Sequence, residues 1–219
     1  MTDNNRIVVL FSGNGSTLQS ILDQQSKYQY QTVAAITNRP DAFGLQRAEK
    51  ADIEALALDH KQFQDRSSFD QALIEQIDQY NPALVVLAGY MRILSSGFVS
   101  HYQGRLINIH PSLLPKHKGL NTYQSALSAG DEKHGASVHF VTEELDSGAV
   151  ILQASTVIKE TDTAESLEER VKVMEQKVYP EAIDWIVSGR ITQNGQTILL
   201  DQQPLDSQGV QISEQHLED

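Results

Sequence analysis

The chain has 219 residues, 40% of them apolar, and a formal net charge of −12. That is enough apolar material for one domain with a full core and argues against general disorder. An acidic chain does not suit the phosphate backbone of nucleic acid. With no cysteine, disulfides, thiolate–metal sites and a cysteine nucleophile are all excluded. No apolar run nears the roughly 18 residues that span a bilayer, and Met1-Thr2-Asp3-Asn4-Asn5-Arg6 lacks a signal-peptide layout. The expected location is therefore the cytoplasm.

Taken in chain order, residues 7–11 read as a buried strand, followed by a glycine turn and a helix from about Ser16. Residues 33–37 form a second strand, 43–51 a short helix and 54–58 a weaker strand. Residues 67–80 are helical, with Phe69, Leu73, Ile74 and Ile77 near one face, and Asn81-Pro82 stops them. Residues 83–88 are the most apolar strand, hence central, and 106–109 are the next. Residues 137–141 and 150–158 predict an antiparallel pair around the loop 142–148. Thr163 caps a long helix running to about Ser188, which Pro180 should kink or divide. Asn194-Gly195 is a hairpin signal, and from about residue 202 the chain reads as a loosely ordered tail. The expected fold is α/β and Rossmann-like: one domain over 1–219, a mostly parallel sheet with helices on both faces, and an antiparallel C-terminal portion.

Two stretches carry chemistry. Ser12-Gly13-Asn14-Gly15-Ser16-Thr17 joins the first strand to the first helix, where free N–H groups suit a phosphate. It is neither a full dinucleotide fingerprint nor a P-loop, and a simple turn capped by Ser16 is the plain alternative. Arg105-Leu106-Ile107-Asn108-Ile109-His110-Pro111-Ser112-Leu113-Leu114-Pro115 places Asn108 and His110 on one face of a strand end, where open α/β sheets build ligand crevices. An asparagine amide can donate to an oxyanion, and a histidine can move protons near neutral pH.

In four segments the chain resembles the folate-dependent phosphoribosylglycinamide formyltransferase family. They are Ser12-Gly13-Asn14-Gly15-Ser16; Ala88-Gly89-Tyr90-Met91-Arg92-Ile93-Leu94; Asn108-Ile109-His110-Pro111-Ser112-Leu113-Leu114-Pro115; and Gly135-Ala136-Ser137-Val138-His139-Phe140-Val141 through Leu145-Asp146-Ser147-Gly148. The resemblance runs from about Arg6 to Trp185. It departs at Thr17, where the family usually has asparagine, and at Asn121 and Tyr123, where some members carry histidines.

The resemblance implies a formyltransferase fold and transfer of the formyl group of 10-formyltetrahydrofolate, the co-substrate, to the glycine amine of glycinamide ribonucleotide. The amine attacks directly, through a tetrahedral intermediate. This agrees with the absence of a cysteine nucleophile and of a Gly-x-Ser-x-Gly elbow. Asn108 is then the oxyanion donor, His110 the general acid, and Asp146 the partner of the histidine that holds a proton-relaying water. Gly15, Ser16 and Thr17 match the phosphate loop, and Glu175 a glutamate on the ribose hydroxyls. Met91, Arg92, Ile93 and Leu94 match one wall of the folate cleft. Val141, Thr142, Glu143, Glu144, Leu145 and Asp146 match the loop at the pterin edge, which Asn108 also borders. Arg66 matches a cation near the glutamyl tail. A monomer or weak homodimer is implied, with no nucleic-acid or membrane partner.

Outside that set, His139 shares a strand face with Ser137 and either borders the site or is packed. Lys116-His117-Lys118 is a short basic patch. His60, His101 and His216 show no partners in the sequence. No metal-ligand spacing occurs, so no metal is expected. The alternatives are a formyltetrahydrofolate deformylase, which would not need the phosphate turn, and a tRNA formyltransferase, which the acidic charge disfavours. A non-catalytic nucleotide-binding module would have no use for Asn108, His110 and Asp146 together.

Overall fold

The computed structural model describes residues 5–194 and 197–217. In chain order the elements are β1 (Arg6–Phe11), α1 (Ser16–Gln24), β2 (Gln31–Thr37), α2 (Gly44–Lys50), β3 (Glu54–Ala57), α3 (Arg66–Asp78), β4 (Leu84–Leu87), α4 (Ser96–His101), β5 (Leu106–His110), α5 (Thr122–Ala129), β6 (Lys133–Phe140), β7 (Val150–Val157), α6 (Ala164–Val187), β8 (Ile191–Asn194), β9 (Thr197–Leu200), β10 (Gln203–Pro204) and β11 (Val210–Ser213).

The main sheet has the order β11-β7-β6-β5-β4-β1-β2-β3. β3, β2, β1, β4 and β5 run parallel, whereas β6 pairs antiparallel with both β5 and β7. This is the expected α/β sheet with an antiparallel C-terminal portion. β1 and β4 are apolar throughout their buried lengths because both faces are covered. One core layer joins Ile7, Val9 and Phe11 to Leu18, Ile21, Val178 and Ile183 of α1 and α6. The other joins Val8 and Leu10 to Phe69, Leu73, Ile77 and Phe98 of α3 and α4. The strand order reverses between β1 and β4, and ligand crevices form outside the carboxyl ends of strands at such a point.

α6 remains one helix of 24 residues with Pro180 inside it. A proline there leaves the carbonyl four residues back without its helical donor. That carbonyl belongs to Gln176, and Gln24 Nε2 donates to it at 2.7 Å. The expected division of the helix is therefore not found; a side chain of α1 replaces the missing N–H.

The expected loose tail from about residue 202 is also corrected. β11 lies parallel to β7, pairing Val210 with Leu152 through Ser213 with Ser155. Without it, β7 would present an unpaired edge. Four residues in a polar, acidic stretch cover the middle of that edge but are too few to announce themselves by periodicity. β8, β9 and β10 form a second, antiparallel sheet. The predicted hairpin pairs β8 with β9; its Gly195 lies outside the described residues.

Candidate active site

β5 ends on Asn108 and His110, and both side chains leave the same face because a strand alternates. Their antiparallel partners on β6 are His139 and Ser137. The loop that follows β6 returns over this strand end. Within it Asp146 has φ 48°, a left-handed conformation that aspartate tolerates better than most side chains. Gly148 fixes the return, since a Cβ there would stand 1.7 Å from the Phe140 carbonyl oxygen. The sequence therefore supplies both the backbone strain and the residue able to bear it.

This return brings Asp146 over His110. Asp146 Oδ2 stands 3.4 Å from His110 Nδ1, and the two side chains are only 7% and 6% exposed. The other imidazole nitrogen, Nε2, is 2.9 Å from the His117 carbonyl oxygen and donates to it. His110 thus uses Nε2 for orientation and turns Nδ1 toward the carboxylate. The Nδ1–Oδ2 separation exceeds a direct N–H···O bond, a looseness common in catalytic pairs without substrate. Asp146 Oδ2 also accepts the Gly119 N–H at 2.9 Å, which ties the loop after β5 to the loop after β6. Lys118 Nζ adds a second tie, to Ser147 Oγ at 2.5 Å.

His139 completes the cluster. Its Nδ1 donates to the Phe140 carbonyl at 2.8 Å, leaving Nε2 as an acceptor. Asn108 Nδ2 points at that acceptor from 3.5 Å, and Asp146 Oδ1 is 3.8 Å from it. Burial, above all, holds the His139 imidazole below its ordinary pKa, so it is neutral and can keep this acceptor role. The strand alternation of Ser137 and His139 was the signal for it. His117 was not readable as a neighbour of His110, because a main-chain oxygen makes the contact. Its side chain is pinned to Asp131 at 2.7 Å, and Lys116 reaches the same carboxylate at 2.8 Å. The basic patch read from the sequence is thus spent on internal pairs.

The turn after β1 lies two strands away across the sheet, about 10 Å at ordinary strand spacing. Gly15 caps α1 with φ 76°, and Ser16 begins the helix; no side chain caps it, so Ser16 is not the cap. The Ser16 side of the turn is exposed and Thr17 half-buried. Ser12 anchors the turn to the switch point, its N–H donating to the Gly89 carbonyl at 3.1 Å and its Oγ accepting the Met91 N–H at 2.8 Å.

Glu175 lies on α6 one turn before Tyr179, whose hydroxyl donates to the carbonyls of Leu87 at 2.8 Å and Ile107 at 3.3 Å. α6 runs opposite to the parallel strands, since Asp184 further on accepts the N–H of Gln29, which precedes β2. Glu175 is therefore nearer the carboxyl ends of β4 and β5 than Tyr179 is. It is 9% exposed, and burial raises its carboxyl to about 7. Burial raises the Tyr123 phenol too, and the nearby Glu175 adds to that rise.

A cleft beside Asn108 is lined by Leu87, Ile93, Leu94, Val99, Val141 and Leu145, with Asn108, His139 and Asp146 at one end. Arg92, Thr142 and Glu143 also border it, whereas Met91 borders the neighbouring pocket with Ser12 and Asn38. Glu144 faces Lys118 at 3.5 Å. Arg92 lies over the Phe69 ring, 4.7 Å from its centre. Arg66 is exposed at the first position of α3, where the helix dipole disfavours a cation. The sequence also missed Tyr90, whose buried hydroxyl has no partner among the described residues of this cleft.

The three histidines without a partner in the sequence have one in the fold: His101 with Asp78 at 2.8 Å, His60 with the Asn38 carbonyl at 2.8 Å, and His216 with Ser213 at 2.6 Å. Each partner is brought near by the fold or by a local turn that charge patterning does not reveal. Among the described residues, no three His, Asp or Glu side chains converge as a metal site. No helix among them is long and apolar enough to cross a membrane.

Residues 5–183 match the family model described as formyl transferase. The chain is 50% identical over 210 residues to the phosphoribosylglycinamide formyltransferase of Escherichia coli (strain K12), covering 95% of this chain and 99% of the relative. It is 41% identical to the enzyme of the same name from Haemophilus influenzae, over 93% of this chain and 97% of the relative. The solved phosphoribosylglycinamide formyltransferase of Coxiella burnetii superposes with a TM-score of 0.92 at 47% identity, over 95% of this chain and 99% of that one. A matching family model, a shared fold and this level of identity leave one assignment: the chain belongs to the formyl transferase family, among its phosphoribosylglycinamide formyltransferases.

Proposed function

We propose that the chain moves the formyl group of 10-formyltetrahydrofolate to the glycine amine of glycinamide ribonucleotide, with Asn108, His110 and Asp146 as its catalytic residues. The observation that carries the reading is the meeting of these three side chains at the end of β5, beside the apolar cleft and two strands from the β1 turn. A flat, apolar-bodied folate ring system suits a cleft that sets an apolar lining beside the Asn108, His139 and Asp146 cluster. A phosphate fits the exposed start of α1, where unpaired N–H groups and the helix dipole favour an anion. Glu175, buried on α6, suits vicinal hydroxyl donors. Arg66, exposed at the start of α3, is the candidate cation for the anionic glutamyl tail. A cytoplasmic location accompanies this reading.

In the reaction, the amine attacks the formyl carbon and negative charge develops on the formyl oxygen. The Asn108 amide donates to that oxygen. His110 Nδ1, steadied through Nε2 by the His117 carbonyl, takes up a proton released by the attacking amine and passes it to the departing folate nitrogen. Asp146 keeps the imidazole oriented and offers its carboxylate as acceptor to a water that relays protons. The test is a formyl-transfer assay that follows folate release and formylated ribonucleotide together. Matched yields of both are expected. Folate release alone would identify a hydrolase, and no turnover would identify a binding module.

The phosphate turn makes a separate prediction. Glycinamide riboside, which lacks the phosphate, is expected to show a KM at least tenfold above that of the ribonucleotide, since charge-assisted hydrogen bonds are worth about 1.5–3 kcal/mol. Competition kinetics measures this directly. Equal KM values would remove Gly15, Ser16 and Thr17 from the site.

A further inference from the structure

The turn between β1 and α1 is held from behind by a side chain that lies 33 positions from Asn14 in the chain. Arg47, on α2, donates through Nε to the Asn14 carbonyl at 2.8 Å and through Nη2 to Asn14 Oδ1 at 2.7 Å. Its Nη1 donates to Gln19 Oε1 on α1 at 3.2 Å. The guanidinium carbon lies 5.1 Å from the centre of the Phe43 ring, which fixes the plane of the fork. The backbone of α2 presses on the same turn. The Gly44 N–H donates to the Gly13 carbonyl at 3.1 Å, and a Cβ on Gly15 would meet Gly44 Cα at 2.7 Å. Glycine at 15 allows that approach, and glycine at 44 lets α2 lie against the Phe11 ring, which a Cβ there would meet at 2.3 Å.

The direction of these bonds matters. In a trans peptide the carbonyl and the following N–H point opposite ways. A guanidinium that holds the Asn14 carbonyl on the α2 side therefore turns the Gly15 N–H to the other side. The Gly44 bond does the same to the Asn14 N–H through the Gly13 carbonyl. α1 contributes its own free N–H groups from Ser16 onward.

We propose that Arg47 is a positioning residue for the ribonucleotide phosphate: by clamping Asn14 it aims the Gly15 N–H into the anion site without touching the substrate. The proposal rests on the reading of Gly15, Ser16 and Thr17 as the phosphate turn. It assigns Arg47 a geometric role. Lysine keeps the charge but cannot reach the Asn14 carbonyl, Asn14 Oδ1 and Gln19 Oε1 together, because it lacks the planar fork.

The test compares wild type, Arg47→Lys and Arg47→Met, each with glycinamide ribonucleotide and with phosphate-free glycinamide riboside, at saturating 10-formyltetrahydrofolate. Methionine keeps an apolar stem against Phe43 and removes every donor. Both variants are expected to raise the ribonucleotide KM by about tenfold or more, the scale of one lost hydrogen bond to a charged group, here that of the Gly15 N–H to the phosphate. Turnover at saturation, the folate KM and kcat/KM for the riboside stay at wild-type values, and the melting temperature confirms folding. A wild-type ribonucleotide KM in Arg47→Lys overturns the proposal, since charge alone would then suffice. An equal fall in kcat/KM for both acceptors in both variants also overturns it, as general damage to the fold. Failure of the phosphate reading looks different: wild type itself would then treat ribonucleotide and riboside alike.

Discussion

Alanine in place of His110 is expected to leave a folded protein whose turnover falls by about 10²–10⁴, the range associated with losing a general acid. The side chain is buried at the end of β5, and its polar partners are the His117 carbonyl on one side and Asp146 on the other. Neither belongs to the apolar core, so the loss falls on chemistry. Asn108→Ala is expected to cost about 10²–10³ in turnover, as removal of one oxyanion donor typically does. In both variants KM for the two substrates changes little, because the groups act on charge that appears in the transition state. Steady-state kinetics with thermal melting as the folding control decides the matter. Normal turnover in either pure, folded variant would remove the core of the mechanism. The pair is expected to be less than additive, because the two residues serve one transition state and Asp146 stands near both His110 and His139, which orients Asn108.

The parallel strands and α3 were legible because periodicity and turn residues agree there. Asn108 and His110 could be placed on one face for the same reason: a strand has a period of two, and Pro111 ends it. Asp146 could not be joined to them by any local rule. It arrives through a loop after an antiparallel strand, and only the family resemblance spoke for it. The helices α4 and α5 have six and eight residues, too short for a periodic face to stand out. The most instructive omissions are contacts with main-chain atoms. His117 acts on His110 with its carbonyl, and Arg47 and Gln24 act on the carbonyls of Asn14 and Gln176. Residue type says nothing about where a carbonyl points, so such contacts stay hidden until the fold fixes the backbone. Pro180 shows the limit clearly: the rule that it breaks a helix was sound, and one distant glutamine amide answered it.

Glu175→Gln is expected to stabilise the free protein while weakening its hold on the ribonucleotide. The carboxyl is raised from 4.5 to about 7, first by burial and further by Glu168, with Lys172 opposing. A raised acid favours the neutral form in the fold. Its contribution to stability is fully present below about pH 4.5 and is lost as pH rises through 7. Above that the ionised wild type carries a penalty of roughly 3 kcal/mol, taking 1.36 kcal/mol for each unit of the shift. Glutamine is neutral throughout and escapes it. The melting temperatures of variant and wild type are therefore expected to agree near pH 4.5 and to separate in the variant's favour above pH 7. Substrate reverses the preference: ribose hydroxyls are donors and favour the carboxylate. The wild-type KM for the ribonucleotide is expected to fall as pH rises through about 7, while that of the variant stays about tenfold or more higher, the scale of a hydrogen bond to a charged group. Melting curves and KM measured at pH 5.5, 7 and 8.5 test both halves. A melting difference that does not change with pH would mean that burial does not hold this carboxyl neutral. An unchanged KM would take Glu175 out of the ribose site. Both results together would leave α6 with a purely architectural task, and the buried carboxylate beside Tyr123 and Tyr179 would lose the reason its cost is borne.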